Sequence, residues 1–323
     1  MSALARFVLA AAVAMSATAA LAQSYPSRPI RMILAFPPGG ATDVIARTVG
    51  QPLAARLGQP VVVDNRPGSN GNVAAELVAK SRPDGHTLLL GSDSLVGINP
   101  HLYAKMPIDP LKDLIPVATL VANQLVLAVN PSLVPVKDLP EFVAFVRHAS
   151  APMFYGSIGN GSQHHLAMEM LKRRAGINLT HVPYKGGGPA GIAVMSGEVA
   201  AMFGGGSVVP LVRSGQLRAL AVSSRRRSAA LPDLPTIAEF YPGFEVTIWQ
   251  GLMAPTGTPP AIVETLRREV NTILAQPEVA ERLINSGSGE PSITTLDEFA
   301  AMIRRDHENY GKVISEIGVK VDN

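Results

Sequence analysis

The sequence contains no cysteine, which excludes a disulfide scaffold, a cysteine-ligated zinc or iron-sulfur centre and any thiol nucleophile, though not export. Aromatic residues supply only 5% and charged residues only 16% of the 323 positions, with a mild formal net charge of +3. Nucleic acid is therefore not an expected partner, because that role needs a basic face interleaved with stacking aromatics. The one basic run, Arg225 to Arg227, lies beside an Ala/Pro loop and reads as a solvated surface. What is abundant is apolar and turn-forming: 47% hydrophobic residues, 29 Gly and 27 Pro. That composition argues against disorder, and so many turn-formers argue against a helical bundle, leaving an α/β chain. The length allows two domains.

Residues 1–22 combine Arg6, the apolar run Phe7 to Met15 and the small-residue site Ala20-Leu21-Ala22. This is the pattern of a cleaved secretory signal; Ser16 and Thr18 interrupt it before the roughly 20 apolar residues that a membrane anchor would need. No later apolar run reaches spanning length, so a mature chain beginning near Gln23 is expected to be soluble and periplasmic.

The mature chain alternates short apolar runs with helical stretches. Ile30 to Phe36 predicts a strand, Pro37-Pro38-Gly39-Gly40 a turn and Val44 to Leu57 a helix; Val61 to Val63, about Gly71 to Lys80 and Thr87 to Gly91 repeat the unit. A second series starts at Leu125 to Asn130 and continues through the helices Leu139 to His148, Gln163 to Ala175 and Pro189 to Ser196. Strands are expected at Met153 to Ser157, Thr180 to Val182, Ala200 to Gly204 and Leu217 to Ser223. A strand from Trp249 to Pro255 and helices Pro260 to Ala275 and Leu296 to Ile317 follow, which reads as a return to the first unit. Two parallel sheets flanked by helices are expected, with residues 23–125 and 247–323 forming one lobe and 126–246 the other. Small ligands favour the cleft between such lobes and the carboxyl ends of the strands.

Three loops carry chemistry. In Phe36 to Asp43 the glycines permit close backbone approach, and Thr42 or Asp43 can cap a helix whose positive end favours anions, so the loop reads as a carboxylate cradle or as an ordinary turn. Tyr155 to His165 repeats the arrangement with Ser157 and Ser162 added, and Pro183 to Pro189 offers Lys185, aimed at the pocket or at water. Gly186 to Gly191 matches G-x-G-x-x-G, but no acid stands about 20 residues on and no phosphate-binding G-x-x-x-x-G-K-[ST] occurs, so no nucleotide cofactor is expected. His165 and Glu169 share a helix face without an identifiable third metal ligand. A secreted serine hydrolase using Ser162 with His164 or His165 is the rival reading, against which stands the lack of a G-x-S-x-G elbow; a hydrogen bond donated by His165 in or below the pocket is the plainer role. Trp249 either walls the cleft or packs a core, and Met168, Met170 and Met195 are assigned to packing.

The ordered motifs Tyr25-Pro26-Ser27-Arg28-Pro29-Ile30, Phe36-Pro37-Pro38-Gly39-Gly40 with Asp43, Asp64-Asn65-Arg66-Pro67-Gly68, Pro83-Asp84-Gly85-His86-Thr87, His181-Val182-Pro183-Tyr184-Lys185-Gly186 and Trp249-Gln250-Gly251-Leu252 resemble the Bug family, the extracytoplasmic solute receptors of tripartite tricarboxylate transporters. The resemblance spans essentially all of the mature chain. It implies a monomeric, non-enzymatic, type II-like periplasmic binding protein that needs no cofactor or metal. Such a protein closes on a small organic carboxylate (a di- or tricarboxylate, an acidic amino acid or an aromatic acid) and presents it to a membrane permease or a sensor. Carried onto this chain, the ligand contacts are Phe36, Pro38, Gly39, Gly40, Thr42 and Asp43, then Ser92, then Ser157, Gly159, Gly161, Ser162 and His165, and finally Lys185, Gly186 and Gly187. Family members often carry Asp where this chain has Ala193 and Ala200.

Overall fold

A computed structural model describes residues 25–36, 38–205, 208–227 and 231–318; the expected signal, residues 1–22, and Pro37 lie outside the described residues. Strand β1 (Ile30–Leu34), helix α1 (Ala41–Leu57), β2 (Val61–Asn65), α2 (Asn72–Ala79) and β3 (Thr87–Ser92) build the first unit, with β1 pairing parallel to both β2 and β3. All six residues of β3 are buried, as expected of a strand covered on both faces. α1 stops where Gly58 turns left-handed (φ 70°), its N–H bonding Ala54 O.

Beyond β3 comes an eleven-residue strand that the periodicity does not announce, β4 (Leu114–Gln124), and only Leu125 separates it from β5 (Val126–Val129) in a different sheet. There follow α3 (Leu139–Arg147), β6 (Phe154–Ser157), α4 (Gln163–Ala175), β7 (Thr180–Pro183), α5 (Gly187–Ser196), β8 (Ala201–Gly204) and β9 (Arg218–Val222). The chain then returns through β10 (Thr247–Pro255) and finishes with α6 (Pro260–Leu274), α7 (Pro277–Asn285), β11 (Glu290–Pro291) and α8 (Leu296–Ile317). Strand order is β11-β4-β10-β3-β1-β2 in one sheet and β7-β6-β8-β5-β9 in the other.

The fold is thus a mixed α/β structure of two helix-flanked sheets. Neither sheet is purely parallel, contrary to the sequence expectation: β10 runs antiparallel to β3 and β4, and β5 runs antiparallel to β8 and β9. The reason is connectivity. These strands carry the chain between sheets, so their direction is set by the crossing and not by a βα return. At the crossings the buried Ser223 ties both passages together: its Oγ accepts from Leu125 N at 2.9 Å and donates to Val246 O at 2.6 Å, while its own N–H bonds Leu125 O and its carbonyl takes Val246 N.

Helix α8, started by a Thr295/Glu298 capping box, serves both sheets. Phe299 and Ile303 pack with Trp249, Ile33 and Leu89 of the first sheet, whereas Tyr310, Val313 and Ile314 join the core around Leu127, Phe142 and Leu166.

Candidate functional site

A cavity of about 830 Å³ opens between the two sheets, at the loops that follow β1 and β6. From the first sheet it takes Phe36, Pro38, Gly39, Gly40, Ala41 and Thr42, with Asn70, Ser92 and Ser94 beside them. From the second it takes the loop Ile158 to Gln163. Leu102, Tyr103 and Ile248 add apolar surface, and Gln250 of β10 lies on the wall with its buried Oε1 bonded to no described group. Among the described residues, none that lines the cavity carries a formal charge.

The first loop is fastened from below. Gly39 adopts φ +83°, open to glycine at little cost, and its N–H bonds Asp43 Oδ2 at 3.2 Å. Asp43 is 6% exposed, does not line the cavity, and accepts from Arg47 at 2.9 and 3.1 Å and from Asn65 at 3.3 Å. Arg47 holds the Asp43 carboxyl below its ordinary value, against the opposing effect of burial and with help from Gly39 N–H and Asn65. Asp43 is therefore an ionised, neutralised anchor beneath the loop. It also removes Gly39 N–H from the set of donors that the sequence suggested for an anion.

The donors that remain belong to the helix itself. Gly40 is the N-cap of α1 and supplies no side-chain cap, and the first intrahelical bond runs from Val44 N to Gly40 O at 3.1 Å. The N–H groups of Ala41, Thr42 and Asp43 consequently have no helical partner, and they sit at the positive end of a 17-residue helix that borders the cavity.

The second loop is built differently. Ser162 caps α4, accepting from His165 N at 3.3 Å and donating to Gly159 O at 2.7 Å. Gly159 N bonds Ser157 Oγ at 3.0 Å, and Gly161 N bonds His165 Nδ1 at 3.1 Å. Gly159, Gly161 and Ser162 thus line the cavity, but Ser157 and His165 lie beneath it as supports. His165 accepts there, where donation was expected, because Nδ1 faces the Gly161 amide. Its ring stacks on His181 with centroids 3.8 Å apart, and His181 Nε2 lies 2.6 Å from Ser157 Oγ. Burial pushes His165 down from its ordinary value; burial, then the neighbouring His165, pushes His181 down to about 4. Two stacked imidazoles in this setting stay neutral, consistent with a purely structural prop.

Other sequence expectations fall elsewhere. Lys185 is exposed, and neither it nor Gly186 or Gly187 lines the cavity. The cause is topological: β7 is an edge strand, which leaves its following loop at the margin of the sheet. Among the described residues Ser162 Oγ bonds backbone groups alone, and neither the His164 nor the His165 ring bonds it as a base bonds a nucleophile. Glu169 is taken by Tyr155 Oη at 2.6 Å and Lys172 at 2.7 Å, which leaves it committed to structure. Trp249 is fully buried, donates to Asp306 at 2.7 Å and meets Phe299 edge-on, so it packs a core while its strand neighbours Ile248 and Gln250 face the cavity. Ala193 and Ala200 are both buried at 3% exposure, where a carboxylate would need a partner.

Sequence reasoning missed Ala41, Asn70, Ser94, Leu102, Tyr103, Ile158, Asn160, Gln163, Ile248 and Gln250 as cavity residues. Asn70 had a local signal, the turn-rich Gly68-Ser69-Asn70-Gly71: it adopts φ +50°, and Asn99 holds it, with Asn70 Nδ2 donating to Asn99 Oδ1 at 2.7 Å and Asn99 Nδ2 donating to Asn70 O at 3.0 Å.

The sequence model of the tripartite tricarboxylate transporter family receptor matches residues 45–319. Protein BugT of Bordetella pertussis is 39% identical over 303 residues, covering 93% of this chain and 92% of BugT. Among solved structures, a TctC solute binding protein from Polaromonas superposes with a TM-score of 0.83 at 29% identity, covering 91% of this chain and all of that one. An R. palustris protein solved with adipate superposes at 0.74 with 32% identity, covering 93% of this chain and 100% of its own.

Proposed function

The chain belongs to the tripartite tricarboxylate transporter receptor family, periplasmic solute-binding proteins, and from that premise we propose that it captures a small organic carboxylate in the cavity between its sheets and delivers it to a membrane permease or a sensor. In this reading the lobes are residues 23–125 with 247–323 and residues 126–246, and they close on the ligand as a monomer. Di- and tricarboxylates, acidic amino acids and aromatic acids are the candidate ligands; the adipate held by the R. palustris neighbour supports the first of these.

The carrying observation is the uncapped start of α1: N–H groups with no partner among the described residues, at the positive end of a long helix, on the wall of a cavity whose described lining carries no charged side chain. No salt bridge is needed. A micromolar receptor requires about 8 kcal/mol, and hydrogen bonds to a charged group give roughly 1.5 to 3 kcal/mol each, so about four to six donors suffice before ordering costs. The amides of Ala41 and Thr42, the Thr42 hydroxyl and the amides of Asn70 and Asn160 are of that number and kind.

Titration calorimetry against dicarboxylates, tricarboxylates, amino acids and aromatic acids tests the proposal, run beside assays with ester and amide substrates. Saturable binding without product is expected. Turnover that disappears in Ser162→Ala would overturn the receptor reading in favour of a hydrolase.

A further inference from the structure

Asp93 stands between two cavity-lining serines, Ser92 and Ser94, but its side chain turns inward and is completely buried. Its partner comes from the other sheet's loop: Gln163 Nε2 lies 3.0 Å from Oδ1 and 3.1 Å from Oδ2, and 2.6 Å from Ser94 Oγ. Tyr310 of α8 places its hydroxyl 3.4 Å from Oδ2. The other ionisable neighbour is Asp306 of α8, which holds Trp249 Nε1 and Arg305, the latter also paired with Glu245 at 3.1 Å. No lysine, arginine or histidine among the described residues bonds Asp93. A buried carboxylate without a cation is costly, and the neutral acid is the favoured form. Burial first and the Asp306 charge second raise Asp93 to about 8.

We propose that Asp93 and Gln163 form a latch between the two sides of the cleft, with Asp93 as the residue that positions Gln163 in the cavity wall, and that the latch makes closure proton-dependent. The inference rests on the reading that the cavity closes on a ligand. When the sides part, Gln163 leaves Asp93 and water enters; the loss of burial, the largest cause, outweighs the loss of the Gln163 hydrogen bond, which favours the charged form, and the carboxyl moves back toward its ordinary value of about 3.9. The carboxyl's affinity for its proton is raised in the closed form. Closure therefore takes up a proton at intermediate pH; its advantage is complete at acidic pH and is lost as the pH rises toward about 8. The stacked His165 and His181 are both pushed below their ordinary value by burial, as is His164, to about 4, so these three do not account for a transition near pH 8.

The test needs no ligand. Difference infrared spectroscopy of the full chain from pH 5.5 to 9.5 should show a protonated carboxylic acid with a midpoint near 8, absent in Asp93→Asn. Small-angle scattering over the same range should show expansion with that midpoint, lost in Asp93→Asn, which stays neutral and keeps an acceptor for Gln163, and lost also in Gln163→Met, whose change lies on the cavity wall and not in a core. An Asp93 band that titrates in the ordinary carboxylate range, or dimensions that do not change with pH, overturns the latch. If Asp93→Asn does not fold, Gln163→Met decides on the scattering alone. A chain that shows the transition yet binds no carboxylate keeps the latch and removes the receptor reading.

Discussion

Replacing Gly40 by serine separates the anion cradle from the stability of the helix that makes it. Gly40 has φ −81° and ψ 174°, a conformation open to any residue, so a side chain there introduces no backbone strain. A serine at an N-cap accepts a hydrogen bond from the N–H two or three residues on, here Thr42 or Asp43. One donor now offered to the cavity would be taken internally. If a hydrogen bond to a charged ligand contributes about 1.5 to 3 kcal/mol, its loss weakens binding by roughly 10- to 150-fold. Helix stability should change by only a few tenths of a kcal/mol, because serine and glycine are both accepted at N-caps. Titration calorimetry with whichever carboxylate binds the parent chain gives the first quantity and thermal unfolding the second. Gly40→Asp should weaken binding further, since it adds a negative charge where the ligand's own belongs. Unchanged affinity in both variants would refute the cradle and leave the loop as a turn.

Three other outcomes follow from the geometry. Asn99→Ala removes the fully buried amide that holds Asn70 and Asn72, leaving polar groups unpaired; denaturant unfolding should show a loss of about 1 to 3 kcal/mol, and carboxylate affinity should fall as Asn70 is released. Because Trp249 is sealed in a core and bonded to Asp306, its emission should be blue-shifted and barely move when ligand is added; a large ligand-dependent shift would contradict the packing described. His164 and His181 sit near 4 when folded, below their ordinary 6.5, so an unfolded chain takes up protons first as the pH falls. Their contribution to stability is complete above about 6.5 and is lost toward about 4, and in Asp93→Asn, which removes the opposite dependence of the raised Asp93 carboxyl, unfolding midpoints should decline between pH 7 and pH 4.5; a flat profile in that variant would contradict their burial.

The βα units were legible because their periodicity is local and their ends are marked. Helix Gln163–Ala175 has both signals, a serine cap and a left-handed Gly176, and Leu296–Ile317 has its Thr295/Glu298 box and Gly318. Strand β4 was not legible. Its sequence LIPVATLVANQ includes Pro116 and lacks clean alternation, since it pairs on both sides along a bulged register with β10. The Gly39–Thr42 wall could be read from its glycines and prolines, which announce close backbone approach. Asp93, Gln163 and Gln250 could not, because their meaning depends on contacts across about 70 residues or more, or on which face of a strand they occupy. The position of Lys185 outside the cavity has the converse explanation: its loop looks like the others in sequence, and the strand order shows that it follows the outermost strand.

Ser223 has a mechanical consequence. One hydroxyl stitches both passages between the sheets, so any swing of one half against the other turns on an axle close to that residue. Travel grows with distance from an axle. In the proposed closure, Ile248 and Gln250, a few residues from Val246, would form a floor that scarcely moves, whereas the rims at Gly39 and Gly159 would sweep furthest. A molecule entering such a jaw would be sized against the floor before either rim had arrived, so that selection by shape would precede selection by charge.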